Sequence, residues 1–285
     1  LNLVDKPDGK LKKHSKDVFL IGGPIIFFNL SVIFLFIFFS EDLREIYVGD
    51  FFKKSEFLTF YILSILFFFT GLIDDKYKIN PNYKFIIFII LIIILIFLDK
   101  NLLLKNIKIF NSSIEISNIF LSSIFTIFCF LAFINAFNFF DGINLQIGFY
   151  SIFLVLVFIS KNFYPVFWTT ILISIFLYLY LNYKNYSFLG DSGSLLLSFI
   201  FGYFFIYSHN QFDLFKADEI FLLMMVPGTD MIRLTIERFR NKKNPLFGDR
   251  YHIHHLVEKK YNQGIAPFIT ISVSSIPYLS YLILG

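Results

Sequence analysis

Residues 135–144 read Asn135-Ala-Phe-Asn138-Phe-Phe-Asp141-Gly142-Ile-Asn144, and the chain is apolar and uncharged on both sides, from Ile119 to Ile134 and from Ile147 to Ile159. Flanking runs of this kind are membrane-spanning in character, so the decapeptide marks a boundary between hydrocarbon and water. A polar side chain recurs at every third position, and at 100° per residue the four lie on one slowly drifting helical stripe. A polar stripe that ends in Asp-Gly at a membrane boundary reads as one wall of a site for a charged, phosphorylated substrate.

Composition agrees with this. Of 285 residues, 56% are hydrophobic and only 16% charged, with a mean hydropathy of +0.69. Soluble domains are about a quarter charged, so the chain is read as an integral membrane protein, and nothing in it suggests a nucleic-acid partner. The net charge is +4, and the single cysteine, Cys129, excludes an internal disulfide. The apolar run from Val18 to Phe39 is longer than a signal-peptide core and lacks a small-residue cleavage site, which predicts a retained span.

Nine apolar runs are long enough, or nearly so, to cross a bilayer: about 18–39, 57–73, 84–98, 118–134, 146–160, 164–182, 194–208, 219–236 and 265–284. The expected fold is an all-α polytopic membrane helix bundle, one integral membrane domain over residues 1–285. The chain starts at Leu1 and stops within an apolar run, from which truncation at both termini is expected. Residues 99–117 alternate apolar and polar around a turn signal and predict a β-hairpin.

Lys and Arg set the orientation. Sixteen fall in the connections 1–17, 74–83 (counted with Lys84), 135–145, 183–193 and 237–264, against eight in the opposite set. The first set is therefore expected in the cytoplasm. Each connection with unusual polar residues lies two spans from the next, which puts all of them on one face.

Four connections carry such residues. Asp74-Asp75 follows Gly71-Leu-Ile, with Lys84 nine residues later; two adjacent carboxylates repel and favour a nearby cation, although a helix cap would also use an aspartate. The Asn–Asp stripe is the second. The third, Gly190-Asp191-Ser192-Gly193-Ser194, opens an apolar run; a helix N-terminus attracts anions, and an acid there is either an N-cap or a ligand for a phosphate-bound cation. The fourth runs from Pro227-Gly-Thr-Asp230-Met-Ile-Arg233 to Asp249-Arg250-Tyr-His252-Ile-His254-His255. Asp230 and Arg233 lie within the run 219–236, where a charge costs about 2.5–3.5 kcal/mol on insertion scales, so they should face protein or water. Pro227-Gly228 is expected to break the helix. The histidines match no standard zinc spacing and with Arg250 fit a phosphate or pyrophosphate. Taken together, the carboxylates Asp74, Asp75, Asp141 and Asp191 with these cationic groups point to Mg²⁺-dependent phosphoryl transfer between a water-soluble and a lipid substrate.

In order along nearly the whole chain, these motifs resemble the polyprenyl-phosphate N-acetylhexosamine-1-phosphate transferases. The resemblance rests on Leu3-Val-Asp5-Lys-Pro7 with Lys13-His14 and Gly22-Gly23-Pro24, on Gly71-Leu-Ile-Asp74-Asp75 with Lys84, and on Asn135-x-x-Asn138-x-x-Asp141-Gly142. It continues through Gly190-Asp191-x-Gly193-Ser194, Pro227-x-x-Asp230 and Asp249-Arg250-x-His252-Ile-His254-His255. Two departures stand out: Asn144 replaces a common second carboxylate, and the span that usually precedes the first loop is absent. The His-Ile-His-His form resembles the branch that starts surface glycans such as O-antigen more than the muramoyl-pentapeptide branch of cell-wall synthesis.

The resemblance implies transfer of a sugar-1-phosphate from a UDP-sugar, foremost UDP-N-acetylglucosamine, to polyprenyl (undecaprenyl) phosphate with release of UMP, at a bacterial inner membrane with the site facing the cytoplasm. It implies Mg²⁺, with Mn²⁺ as a substitute, held by Asp191 and shared with Asp141 or Asp75. Asp74, Asp75 and Asp141 are then the expected catalytic residues, and Asn135, Asn138, Lys84, Lys13, Arg250, His252, His254 and His255 the expected substrate contacts. The muramoyl-pentapeptide UDP-sugar is the alternative donor. A transporter is the alternative class, but it would place ionisable groups along a path near mid-membrane.

Overall fold

A computed structural model describes residues 3–7, 17–49, 54–246 and 251–284. The described residues are mainly helical, with two small antiparallel strand pairs. Seven helices among the described residues are long and apolar enough to cross a membrane, as an all-α polytopic bundle requires. Large outward-facing side chains such as Phe28, Phe97, Phe128 and Ile173 are more than 60% exposed, which suits hydrocarbon as the surrounding solvent.

The chain forms two compact units, each built from two stretches. The first comprises Leu1–Ile79 and Ile143–Leu197. It holds β1 (Val4–Asp5) paired with β2 (Val18–Phe19), α1 (Gly22–Phe39), α2 (Glu41–Val48), α3 (Lys54–Tyr77), α6 (Gln146–Ser160), α7 (Pro165–Tyr183) and the start of α8 (Gly190–Phe212). Here α1 packs against α3 and α7. Phe27 stacks on Phe68 at 4.1 Å and Phe34 on Tyr61 at 3.8 Å, while Asn29 Nδ2 donates to the Thr170 carbonyl at 2.7 Å. Between α6 and α7, fully buried Trp168 stacks on Phe158 at 4.3 Å.

The second unit comprises Asn80–Gly142 and Ser198–Gly285. It holds α4 (Pro81–Leu98), β3 (Asn106–Ile109) paired with β4 (Ser112–Glu115), α5 (Ile119–Phe140), the rest of α8, α9 (Ala217–Leu223), α10 (Met225–Arg240), α11 (Ile253–Tyr261) and α12 (Ala266–Leu284). The β3–β4 pair is the hairpin expected in 99–117. Local chemistry fixes the helix starts. Asn80 caps α4 ahead of Pro81 at N1, and Asn118 accepts from Phe120 and Leu121 at the start of α5. Tyr203 donates to buried Asp99 at 2.9 Å, tying α8 to the end of α4.

Two of the nine expected spans differ. Run 146–160 becomes α6, a helix of 15 residues. Run 219–236 is two helices, and the break falls at Met224 rather than at Pro227-Gly228. That register puts Pro227 in the first turn of α10, where its missing N–H has no intrahelical acceptor to lose. Helices also run further than their apolar cores. Asp74 and Asp75 belong to the last turn of α3, and Asn135 and Asn138 to α5, with Asp141 as its C-cap. Asn144 lies beyond the helix and off the expected stripe.

Candidate active site

In the first unit, the N-terminus of α8 meets the C-terminal end of α3. Asp75 is 8% exposed. Its Oδ1 accepts the main-chain N–H of Asp191 at 2.8 Å and its Oδ2 that of Ser192 at 3.0 Å. A helix leaves its first N–H groups without intrahelical partners, and here the cap comes from another helix. Asp191 is therefore not the N-cap of α8, and its charge lies close enough to repel that of Asp75. Asp74, one residue earlier, turns the other way and accepts the Ile79 N–H at 2.6 Å, closing the end of α3 next to Lys78 at φ +55°. Of the adjacent pair, one caps its own helix and the other caps α8.

The glycines of these motifs let main chains touch. Gly190 sits at φ +74°, and an added Cβ would lie 2.6 Å from Asp75 Oδ2. At Gly71 it would lie 2.5 Å from Ser192 Cα, and at Gly23 2.5 Å from the Gly193 nitrogen. Thus α1, α3 and α8 approach backbone to backbone at Asp191, as small residues allow within membranes. The loop before α8 is fixed as well. Gly22 and Gly23 donate to the carbonyls of Phe188 and Leu189. Buried Asn182 donates to the Ser187 carbonyl and accepts from Leu145, at 2.8 and 2.7 Å. Asn144 Nδ2 donates to Asn185 Oδ1 at 2.6 Å, so it serves this scaffold.

The second unit gathers the remaining motifs. Asn135 Nδ2 donates back to the Leu131 carbonyl of α5, and the Asn138 carbonyl accepts the Asp141 N–H. Gly142 faces the His254 ring so closely that an added Cβ would lie 2.6 Å from its Cε1. His254 is fully buried, edge-on to Phe140, parallel to His252 at 5.4 Å and 4.3 Å from His255. Asp230, 3% exposed, organises the start of α11: Oδ2 accepts from His252 Nδ1 at 2.8 Å, and both oxygens face the Ile253 N–H at 3.2 Å. Arg233 Nη2 donates to Asp230 Oδ1 at 2.8 Å and to the Tyr251 carbonyl at 2.6 Å. Burial alone would raise the Asp230 pKa, but the hydrogen bonds from His252, Arg233 and Ile253 and the attraction of His252 outweigh it, leaving it below the usual carboxylate range. Lys84 sits in the first turn of α4, where neighbouring Asn82 accepts from Asn244 of the basic loop at 3.0 Å. Lys13 and Arg250 lie outside the described residues.

A sequence model described as glycosyl transferase family 4 matches residues 57–209, more than half of the chain. The chain belongs to glycosyl transferase family 4. It is 24% identical to the undecaprenyl-phosphate alpha-N-acetylglucosaminyl 1-phosphate transferase of Salmonella typhi over 288 residues, covering 96% of this chain and 74% of that protein. The enzymes of the same name from Yersinia pestis and Escherichia coli K12 are 25% and 24% identical over the same shares. This family 4 transferase thus joins Asp75 to Asp191 within one unit, and Asp141-Gly142 to the histidines within the other. Sequence reading missed the link from Asp230 to His252 and the role of Asn182. Its only clue to the first was a charged pair in an apolar run.

Proposed function

We propose that this chain transfers N-acetylhexosamine-1-phosphate from a UDP-sugar, foremost UDP-N-acetylglucosamine, to polyprenyl phosphate, working at the cytoplasmic face of a bacterial inner membrane. The observation that carries this reading is the buried Asp75 carboxylate on the first N–H groups of α8, which fixes Asp191 beside a second negative charge at a helix N-terminus. The motif order and the names of the family 4 relatives support the substrates.

In the reaction, an oxygen of the lipid phosphate attacks the sugar-side phosphorus of the nucleotide pyrophosphate. The bond from that phosphorus to the bridging oxygen breaks, and UMP leaves with the electron pair. The residues present fit a divalent cation. Asp75 and Asp191 repel each other, and Mg²⁺ usually takes one or two carboxylates plus substrate oxygens. Among the described residues no three His, Cys, Asp or Glu side chains form a ready cage, so substrate oxygens would complete the shell. Asp191 is proposed to hold the ion; bound Mg²⁺ would offset charge developing on the pyrophosphate. Asp75 keeps Asp191 in register. Asn138, Lys84, Arg250 and the histidines supply donors for nucleotide, sugar and phosphates. The lipid phosphate loses its last proton at about pH 6, so no strong base is needed.

The test is UMP release by the purified chain from a panel of UDP-sugars with polyprenyl phosphate, with and without Mg²⁺. Release from UDP-N-acetylglucosamine only when Mg²⁺ is present supports the reading. Release only from the muramoyl-pentapeptide donor moves the chain to the cell-wall branch, and no release from any donor removes the reading.

A further inference from the structure

Three groups converge on the Asp230 carboxylate: the His252 ring, the Ile253 N–H and the Arg233 guanidinium. A carboxylate only accepts, so the His252 nitrogen facing it must donate. In the neutral ring Nδ1 therefore carries the hydrogen and Nε2 the lone pair. His252 is the N-cap of α11 but makes no side-chain cap bond of its own. Asp230 supplies that acceptor from α10, as Asp75 does for α8. His252 lies 4° from parallel with His254, and His254 in turn rests against Gly142, next to Asp141. The row Asp230, His252, His254, Gly142 thus joins the last motif of the chain to the Asn–Asp motif within one unit.

We propose that Asp230 is a positioning residue of the transfer reaction, fixing the ring of His252 and through it the place of His254 beside Asp141-Gly142. The inference rests on the sugar-1-phosphate transfer reading. Asp230 touches no substrate in this scheme; it acts by aligning groups that do, and small misalignments cost rate.

Asp230→Asn is the informative change. The amide oxygen still accepts the Ile253 N–H, but the amide nitrogen now donates toward His252 Nδ1 and forces the ring hydrogen onto Nε2. The full chain is purified with ¹⁵N-labelled histidine, and the His252 signal is assigned by its loss in His252→Gln. Expected are a switch of His252 from the Nδ1–H to the Nε2–H form, a kcat for UMP release lower by about tenfold or more with a smaller change in KM, a chain that stays folded at the assay temperature with a modestly lower melting temperature, and partial recovery of kcat in Asp230→Glu. A wild-type kcat in Asp230→Asn overturns the proposal, and so does a loss matched by unfolding without a change of tautomer. If the wild type releases no UMP from any donor, the function reading fails instead, while the nitrogen signals still decide whether Asp230 sets the His252 ring.

Discussion

Asp75 and Asp191 are joined through the main chain: Asp75 Oδ1 accepts the Asp191 N–H at 2.8 Å, which leaves the Asp191 side chain outside the cap. The two acids therefore have separable duties, and their substitutions should fail in different ways.

Asp191→Asn keeps the main-chain N–H that Asp75 accepts, so α8 should remain capped and the chain inserted and folded. UMP release should drop by about two orders of magnitude or more, the scale on which loss of a strong electrostatic contact at the transition state is felt. Turnover of the purified variant at the wild-type rate would remove Asp191 from the proposed cation site.

Asp75→Ala should do the opposite first. It leaves two N–H groups without an acceptor at a buried helix start, at a cost of about 1–3 kcal/mol for each buried group so stranded. A lower melting temperature in detergent is expected before any kinetic effect is read. A variant that melts like the wild type would show that the cap is dispensable.

Gly142→Ala drives a Cβ into the His254 ring. His254 must move, and kcat/KM for the nucleotide sugar should fall by about tenfold, equivalent to about 1.4 kcal/mol. Pairing the change with His254→Ala should cost less than the sum of the two alone, because the clash is then gone. Additive losses would separate the two residues.

Acid should loosen the start of α11. Asp230 titrates below the usual carboxylate range, so its contribution to stability is complete above the unfolded value of about 3.9 and is lost as pH falls through the lower folded value. Asp99, just past α4, has the opposite sign: burial raises it despite the Tyr203 and Asn101 hydrogen bonds, so its contribution is complete below the unfolded value and fades as pH rises through the folded one. Melting curves of Asp230→Asn and Asp99→Asn against pH should each lose the matching limb. Unchanged profiles in both would contradict the assignment.

The spans were legible because a long apolar run has few other uses, and the β3–β4 hairpin because alternation around a turn is a local signal. The motif residues stand out in the sequence as types and spacings, yet what each touches does not. Nothing local to Asp74-Asp75 tells which acid caps its own helix and which reaches α8. Asn144 looked like the end of a stripe because a repeat of three carries no mark where the helix stops. The break at Met224 was misplaced because proline disrupts a helix interior but is harmless in a first turn. For Asp75 and Asn144 the deciding partners, the start of α8 and Asn185, lie far away in sequence.

The touching main chains at Gly23, Gly71 and Gly193 have a practical reading for anyone who randomises this protein. Oil solvates one bulky apolar group as readily as another, so swaps at outward-facing phenylalanines such as Phe28, Phe97 and Phe128 should be accepted freely. A single methyl at one of those three positions wedges apart the segments that hold Asp191. A library screened for activity should therefore drift widely in its greasy coat and stay almost monomorphic where there is no side chain at all.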